Sequence, residues 1–413
     1  MAETAAEPFF LDPGALDLAS VDPSDAGWWR HDRWQGLFRR LRAEDPVHYC
    51  AHGIEGPFWS ITRHDDVKYV DTHPELFSSE GSIVLAEPED DFPLPMFIAM
   101  DPPRHDDQRK VVSPVVAPMN LKQLEGTIRG RAGAILDSLP VGETFNWVDK
   151  VSIELTTQML ATLFDFPFED RRKLTRWSDV STADIGGDIV ATEEQQRAEL
   201  LECLAYFNEL WRQRIGRTDG NDLISMLANG EATKNMSQEE FLGNLVLLIV
   251  GGNDTTRNSI TGGVLALNLF PDEYARLRAN PGLIPGMVPE IVRWQTPLAY
   301  MRRTAMQDTE IRGRHIRKGD KLAMWYASGN RDEAVFDDAD SLRIDRPNAR
   351  QHVSFGYGIH RCMGNRLAEM QLRVLWEEIL QRFRLVEVVG TPERVPSSFV
   401  KGYLDLPVVV HPL

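Results

Sequence analysis

The chain has 413 residues, 42% hydrophobic and 26% charged, which is ordinary for a globular protein and long enough for one large domain or two to three average ones. A net charge of −17 argues against nucleic acid or an anionic membrane surface as partner. Cys50, Cys203 and Cys362 are too scattered for a disulfide framework, the N-terminus has no signal-peptide pattern, and the longest apolar run, Leu245 to Val250, falls far short of the ~20 residues of a membrane span, so a soluble cytoplasmic protein without a membrane anchor is expected.

Residues 1–30, rich in Pro, Asp and Ala, read as an N-terminal arm, and 31–413 as a single domain. Trp34 to Leu41 has the spacing of an amphipathic helix, Val47 to Cys50 and Phe58 to Thr62 read as a hairpin around Gly53 and Gly56, and Asp65 to Val70 starts another helix. Ser79 to Met100 mixes Gly, Pro, acids and apolar clusters, and reads as a long loop with one short helix, of the kind that often carries function. Asp101-Pro-Pro then opens a polar helix with His105 and Arg109 four apart on one face. Residues 121–230 read as helical scaffold with a break from Asp184 to Ala191.

Ser237-Gln-Glu-Glu240 is a capping box. It opens a helix ending near Pro271, roughly 45–50 Å long at 1.5 Å per residue. Gly251-Gly252 in its middle costs about 1 kcal/mol per glycine relative to alanine, which implies that something comes close there or that the helix bulges. The acid–hydroxyl pair Asp254-Thr255 follows at once. Glu290 and Arg293 form an (i, i+3) ion pair, a weak signal alone. Two short strands are expected over Ile311 to Tyr326, and terminal strands over Arg384 to Val389 and Leu404 to Val410, joined by a Pro-rich loop bearing Phe399. Helices dominate and short strands gather at both ends, so the expected class is mainly α with small β-sheets at the periphery.

The chemistry centres on His352 to Met370. Cys362 sits among Gly356, Gly358 and Gly364, just before an amphipathic helix with Leu367, Met370, Val374, Leu375 and Ile379 on one face. A helix N-terminus favours the thiolate, and the glycines let the backbone approach something large and flat. Zinc would need partner cysteines at short spacing, c-type haem attachment needs C-x-x-C-H, and the neighbours Arg361 and Met363 supply no base for a nucleophile. Phe355-x-x-Gly358-x-x-x-Cys362-x-Gly364 resembles the haem-binding segment of the cytochrome P-450 family.

That resemblance covers essentially the whole chain, in the order Asp101-Pro-Pro-x-His105-x-x-x-Arg109, Gly251-Gly252-x-Asp254-Thr255, Glu290-x-x-Arg293 with Arg346 as its third member, and the cysteine loop. It implies that 31–413 is one haem-thiolate monooxygenase domain. Cys362 is implied as the axial ligand of the iron of haem b, with Phe355 and Gly364 beside the ring. His105, Arg109, His360 and Arg303, or its neighbour Arg302, are implied as propionate partners. Gly251 is implied to leave room for dioxygen, Thr255 to hold oxygen and water, and Asp254 to relay protons.

With no flavin or iron–sulfur motif in the chain, electrons are implied to come from NAD(P)H through a reductase and a 2Fe–2S ferredoxin, docking near Arg109, Lys110, Arg361 and Arg366. A hydrophobic small-molecule substrate would meet Ile83, Val84, Leu85, Val250, Leu298, Met301 and Phe399. Two longer stretches, Leu248 to Leu267 and Gly364 to Leu380, resemble the bacterial alkane-hydroxylase subfamily, which implies terminal hydroxylation of medium-chain n-alkanes or fatty acids. A terpene or steroid hydroxylase of the same family is the alternative. Of the rival classes, a peroxygenase needs no Asp254-Thr255 relay, and a haem-based sensor needs an output domain.

Overall fold

The longest helix among the described residues is Gln238–Leu269. The computed structural model describes residues 8–88, 91–183, 185–187, 189–217 and 220–413; residues 1–7 of the expected arm and Asp184 and Asp188 of the expected break lie outside the described residues. The Ser237 hydroxyl accepts the N–H of Glu240 at 3.2 Å, so the helix starts where the capping box places it. Its first half buries Phe241, Leu245 and Ile249 against the helices Arg172–Thr182, Glu193–Arg214 and Leu223–Asn229. Its second half buries Ile260 and Val264 against Pro118–Asp137, Ile284–Gln295 and Asn365–Arg382. One helix thus joins two apolar clusters, and the expected mainly α class is met. No described helix is long and apolar enough to cross a membrane.

The main sheet lies to one side and has the order Val47–Cys50, Phe58–Ile61, Lys321–Met324, Met301–Ala305, Phe77–Ser78. The hairpin is in register Val47 with Ile61, and its second strand runs parallel to Lys321–Met324. Three strands, not two, cover Ile311 to Tyr326 and its flank: Thr309–Ile311 and Arg314–Ile316 make a separate hairpin, while Lys321–Met324 joins the main sheet. The last expected strand is split. Tyr403–Asp405 pairs with Glu393–Arg394, and a new strand begins at Pro407, whose missing N–H suits a first position. In the lead-in, Leu16, Val21, Trp28 and Trp29 are buried, and Trp29 stacks on Trp34 and Trp325 at centroid distances of 5.3 and 5.6 Å.

Glu290, Arg293 and Arg346 form a buried ion triad. Glu290 receives Arg293 Nε at 2.7 Å and Arg346 Nε at 3.0 Å, and Arg293 also donates to the carbonyls of Asn330 and Ala339 at 2.7 Å. These bonds tie the helix Ile284–Gln295 to the meander that leads into the cysteine loop. Removing the one anion strands two guanidinium groups out of water. Glu290→Ala is expected to lower stability by about 3–5 kcal/mol, seen as a large drop in the urea midpoint of the protein.

Candidate active site around Cys362

Two hydrogen bonds close the cysteine loop: the Cys362 N–H donates to the Phe355 carbonyl at 2.7 Å, and the Gly356 N–H to Val353 at 2.8 Å. Cys362 is open on one side and walled by protein on the others. Burial pushes its thiol above the ordinary value, although the N–H groups of Gly364 and Asn365 and the cations Arg109 and Arg361 pull the other way. The helix N-terminus expected to favour the thiolate is present, but alone it does not outweigh desolvation.

The three glycines of the loop have different tasks. Gly364 has open space where a Cβ would stand. Gly356 (φ +63°) and Gly358 (φ +64°) hold left-handed conformations, and a Cβ on either would strike Asp71: its Oδ2 at 3.0 Å from Gly356, and its carbonyl oxygen from Gly358. These two glycines therefore let the loop close over the end of the helix His64–Thr72 rather than over a flat group. The Gly251-Gly252 pair divides similarly. Gly251 is exposed with nothing near its missing Cβ, whereas a Cβ on Gly252 would lie 2.7 Å from Leu160. The helix runs on through both without a break.

His105 and His360 face each other with ring centroids 4.2 Å apart. His105 Nδ1 meets Asp106 at 2.7 Å, while His105 Nε2 and both ring nitrogens of His360 have no partner among the described residues. Burial depresses both imidazoles; His360 falls to about 2, helped by Arg303, His105 and Arg109. Arg109 donates to the Arg361 carbonyl. Strand alternation sends Arg303 and Arg302 to opposite faces. Arg303 lies near His360 and donates to Asp71 Oδ1 at 2.6 Å, whereas Arg302 turns to Glu87 at 3.1 Å and to the carbonyls of Val84, Leu85 and Ala86. Three orphaned ring nitrogens beside two arginines suit a group with two carboxylates. An accessible sulfur and two open glycines suit a flat ring with a metal at its centre. The residues fit haem b.

In the middle of the long helix, Thr255 is half-buried, and its hydroxyl donates to the Gly251 carbonyl at 3.0 Å. Asp254 lies fully buried behind it. Its Oδ1 meets Arg257 at 2.8 Å and the Asn253 amide at 3.3 Å, and its Oδ2 has no partner among the described residues although Ser178 is close. Arg257 is shared with Asp179 at 2.9 Å. Desolvation raises the Asp254 carboxyl above its ordinary value; Arg257 pulls it down, and the neighbouring charge of Asp179 pushes it up again.

Of the apolar candidates, Leu85 is placed elsewhere: it is fully buried in the aromatic cluster with Trp28 and Trp325, its N–H held by the Tyr300 hydroxyl at 3.1 Å, so it lines no open space. The others retain accessible surface. Leu298 bridges Val400, the Ala299 N–H donates to Phe399, and the Arg302 N–H to Ile83, so Ile83, Leu298, Met301 and Phe399 share one edge. Val84 sits on the Ile83 loop, and Val250 packs on the first apolar cluster of the long helix. Phe355 packs against the other cluster. Asp71, Arg257 and Gly243, whose missing Cβ lets Pro95 cross the long helix, carry no warning in the sequence.

Known proteins resemble this chain over most of its length. A family model for cytochrome P-450 matches residues 282–403. Linalool 8-monooxygenase of Pseudomonas putida is 38% identical over 388 residues, covering 91% of this chain and 95% of that protein. Methyl-branched lipid omega-hydroxylase of Mycobacterium tuberculosis is 33% identical, covering 96% of each. Among solved structures, CYP153D17 from Sphingomonas sp. PAMC 26605 is 51% identical with a TM-score of 0.89, covering 94% of this chain and 98% of that one. A cytochrome P-450 from Novosphingobium aromaticivorans is 48% identical with a TM-score of 0.88, covering 94% and 99%. The chain belongs to the cytochrome P-450 family. It is a haem-thiolate monooxygenase.

His352 opens the cysteine loop with its Nδ1 accepting the Ser354 N–H at 3.2 Å, and burial pushes its pKa down from 6.5 to about 3. The unfolded chain therefore binds a proton the folded one refuses, and stability present above pH 6.5 is lost as pH falls toward 3. His352→Asn keeps an acceptor without the titration. It is expected to flatten the decline in urea midpoint between pH 7 and pH 5.

Proposed function

We propose that this protein inserts one atom of dioxygen into the terminal C–H bond of a medium-chain n-alkane or fatty acid in the cytoplasm, with two electrons from NAD(P)H delivered by a reductase and a ferredoxin, and with water as the other product. The observation that carries the substrate class is the likeness to a methyl-branched lipid omega-hydroxylase across 96% of both chains, together with the accessible apolar edge of Ile83, Leu298, Met301 and Phe399. The likeness to linalool 8-monooxygenase favours a second reading, a terpenoid alcohol.

Cys362 would ligate the iron, and His105, Arg109, Arg303 and His360 would hold the two carboxylates of haem b. When bound, thiolate-ligated haem supplies oxygen activation. Gly251, with nothing near its missing Cβ, would leave space for dioxygen beside the bound group. The Thr255 hydroxyl, tied only to its own helix, holds a proton or water there. Asp254 passes protons forward when Arg257 leans toward Asp179, which frees the Asp254 carboxylate without exposing it.

The first test is the difference spectrum of the reduced, carbon monoxide-bound protein beside Cys362→Ala, followed by product analysis with octane, dodecanoic acid and linalool. A red-shifted Soret band lost in the variant, with terminal alcohols from the linear chains, is expected. Oxidation of linalool alone would select the second reading. Thr255→Ala is expected to bind substrate as before but to send most electrons to peroxide, and full coupling in that variant would remove Thr255 from proton delivery. Lys110, Arg361 and Arg366 are exposed around the cysteine loop, so replacing Lys110 and Arg366 by Glu is expected to raise the KM for ferredoxin about tenfold at low salt, with little change in kcat.

A further inference from the structure

We propose that Asp71 is a positioning residue that fixes both the propionate arginine and the cysteine loop, and that its buried negative charge sets the reduction potential of the bound haem. This rests on the reading of Cys362 as ligand and Arg303 as propionate partner. Asp71 stands in the last turn of the helix His64–Thr72, is 3% exposed, and belongs to none of the motifs that identify the site.

Its carboxylate serves three elements at once. Oδ1 accepts Arg303 Nη2 at 2.6 Å. Oδ2 accepts the backbone N–H of Tyr357 at 2.6 Å and the Tyr326 hydroxyl at 3.2 Å. Burial and the Asp71 charge together hold the Tyr326 phenol far above its ordinary pKa, which keeps that hydroxyl a donor. Tyr357 lies inside the segment whose ends are joined by the bond from Cys362 N–H to the Phe355 carbonyl. Holding its N–H therefore fixes the loop that carries the sulfur. The flanking Gly356 and Gly358 both need their lack of Cβ to reach Asp71, so the two bonds form part of one close-packed joint.

Arg303 has its second nitrogen, Nη1, on the Arg302 carbonyl at 2.8 Å, so its head is oriented before any ligand arrives. Arg303 and Arg109 are the permanent cations of the clamp, and Asp71 cancels one of them at 2.6 Å. A negative charge buried against the propionate arginine would favour the ferric over the ferrous state of a bound haem, because the low dielectric leaves it poorly screened. Asp71 thereby holds the potential down while keeping the arginine in place.

The test is an electrode titration of the wild-type holoenzyme, Asp71→Asn, Arg303→Gln and the double variant, each checked by its carbon monoxide difference spectrum. Asp71→Asn is expected to keep the thiolate band and to raise the ferrous-to-ferric ratio about tenfold at fixed electrode potential, ~59 mV positive for one electron. Arg303→Gln is expected to move the ratio the other way, and the double variant to return to near the wild type. A ratio for Asp71→Asn within about threefold of wild type, even with a lower melting temperature, overturns the proposal and leaves Asp71 a purely structural residue. If Asp71→Asn yields no folded holoenzyme, the double variant, which strands no buried charge, is expected to restore it; a double variant equally defective overturns the proposal. A wild-type protein without the thiolate band would instead show that the ligand reading fails, and the proposal with it.

Discussion

The helix Gln238–Leu269 is buried along most of its length and yet polar in its middle. Asn253, Asp254, Arg257, Asn258, Ser259 and Thr261 all lie out of water there, so each must find a partner within the protein. Thr156 donates to Asn253 at 2.9 Å, Asn253 turns its amide to Asp254, Ser152 meets Thr261 at 2.8 Å, and Asn258 accepts the Tyr403 N–H at 3.1 Å. The helices and strands around the long helix are therefore placed by hydrogen bonds as well as by apolar contact. Asp254 Oδ2, Arg257 Nε and Asn258 Nδ2 are left without a partner among the described residues.

The cysteine side follows the same logic with charge in place of hydrogen bonds. Burial makes the thiol and both imidazoles prefer their neutral forms, and the arginines stand where anions are to come. The same exclusion of water that favours these neutral forms sharpens electrostatics inside a catalytic pocket.

The residues that carry a local pattern were legible from the sequence. His105 and Arg109 share a helix face, the Ser237 cap marks the start of the long helix, and the cysteine loop follows a family-specific spacing. The choice between Arg302 and Arg303 needed the register of a strand, which fixes the side each one faces. Asp71 was illegible, because an acid at the end of a short helix normally meets solvent and its partners lie more than 230 residues further on. Arg257 was hidden for another reason: a helix buried on all sides loses the periodicity that would tell inner from outer faces. Leu85 was misplaced because an apolar residue in a loop looks the same whether it lines a cavity or plugs a core.

The stacking of Trp29 between Trp34 and Trp325 joins the first strongly apolar segment of the chain to a strand edge made much later. During synthesis at 5–20 residues per second, the early tryptophans emerge about 15–60 s before the ring they are to lie on. Until then the ring of Trp29 lacks its cover on the Trp325 side. The same delay applies to the hairpin Val47–Cys50 and Phe58–Ile61, whose parallel neighbour is Lys321–Met324. The main sheet can close only when nearly four-fifths of the polypeptide has left the ribosome, and the nascent N-terminal region is the stretch on which a chaperone would act.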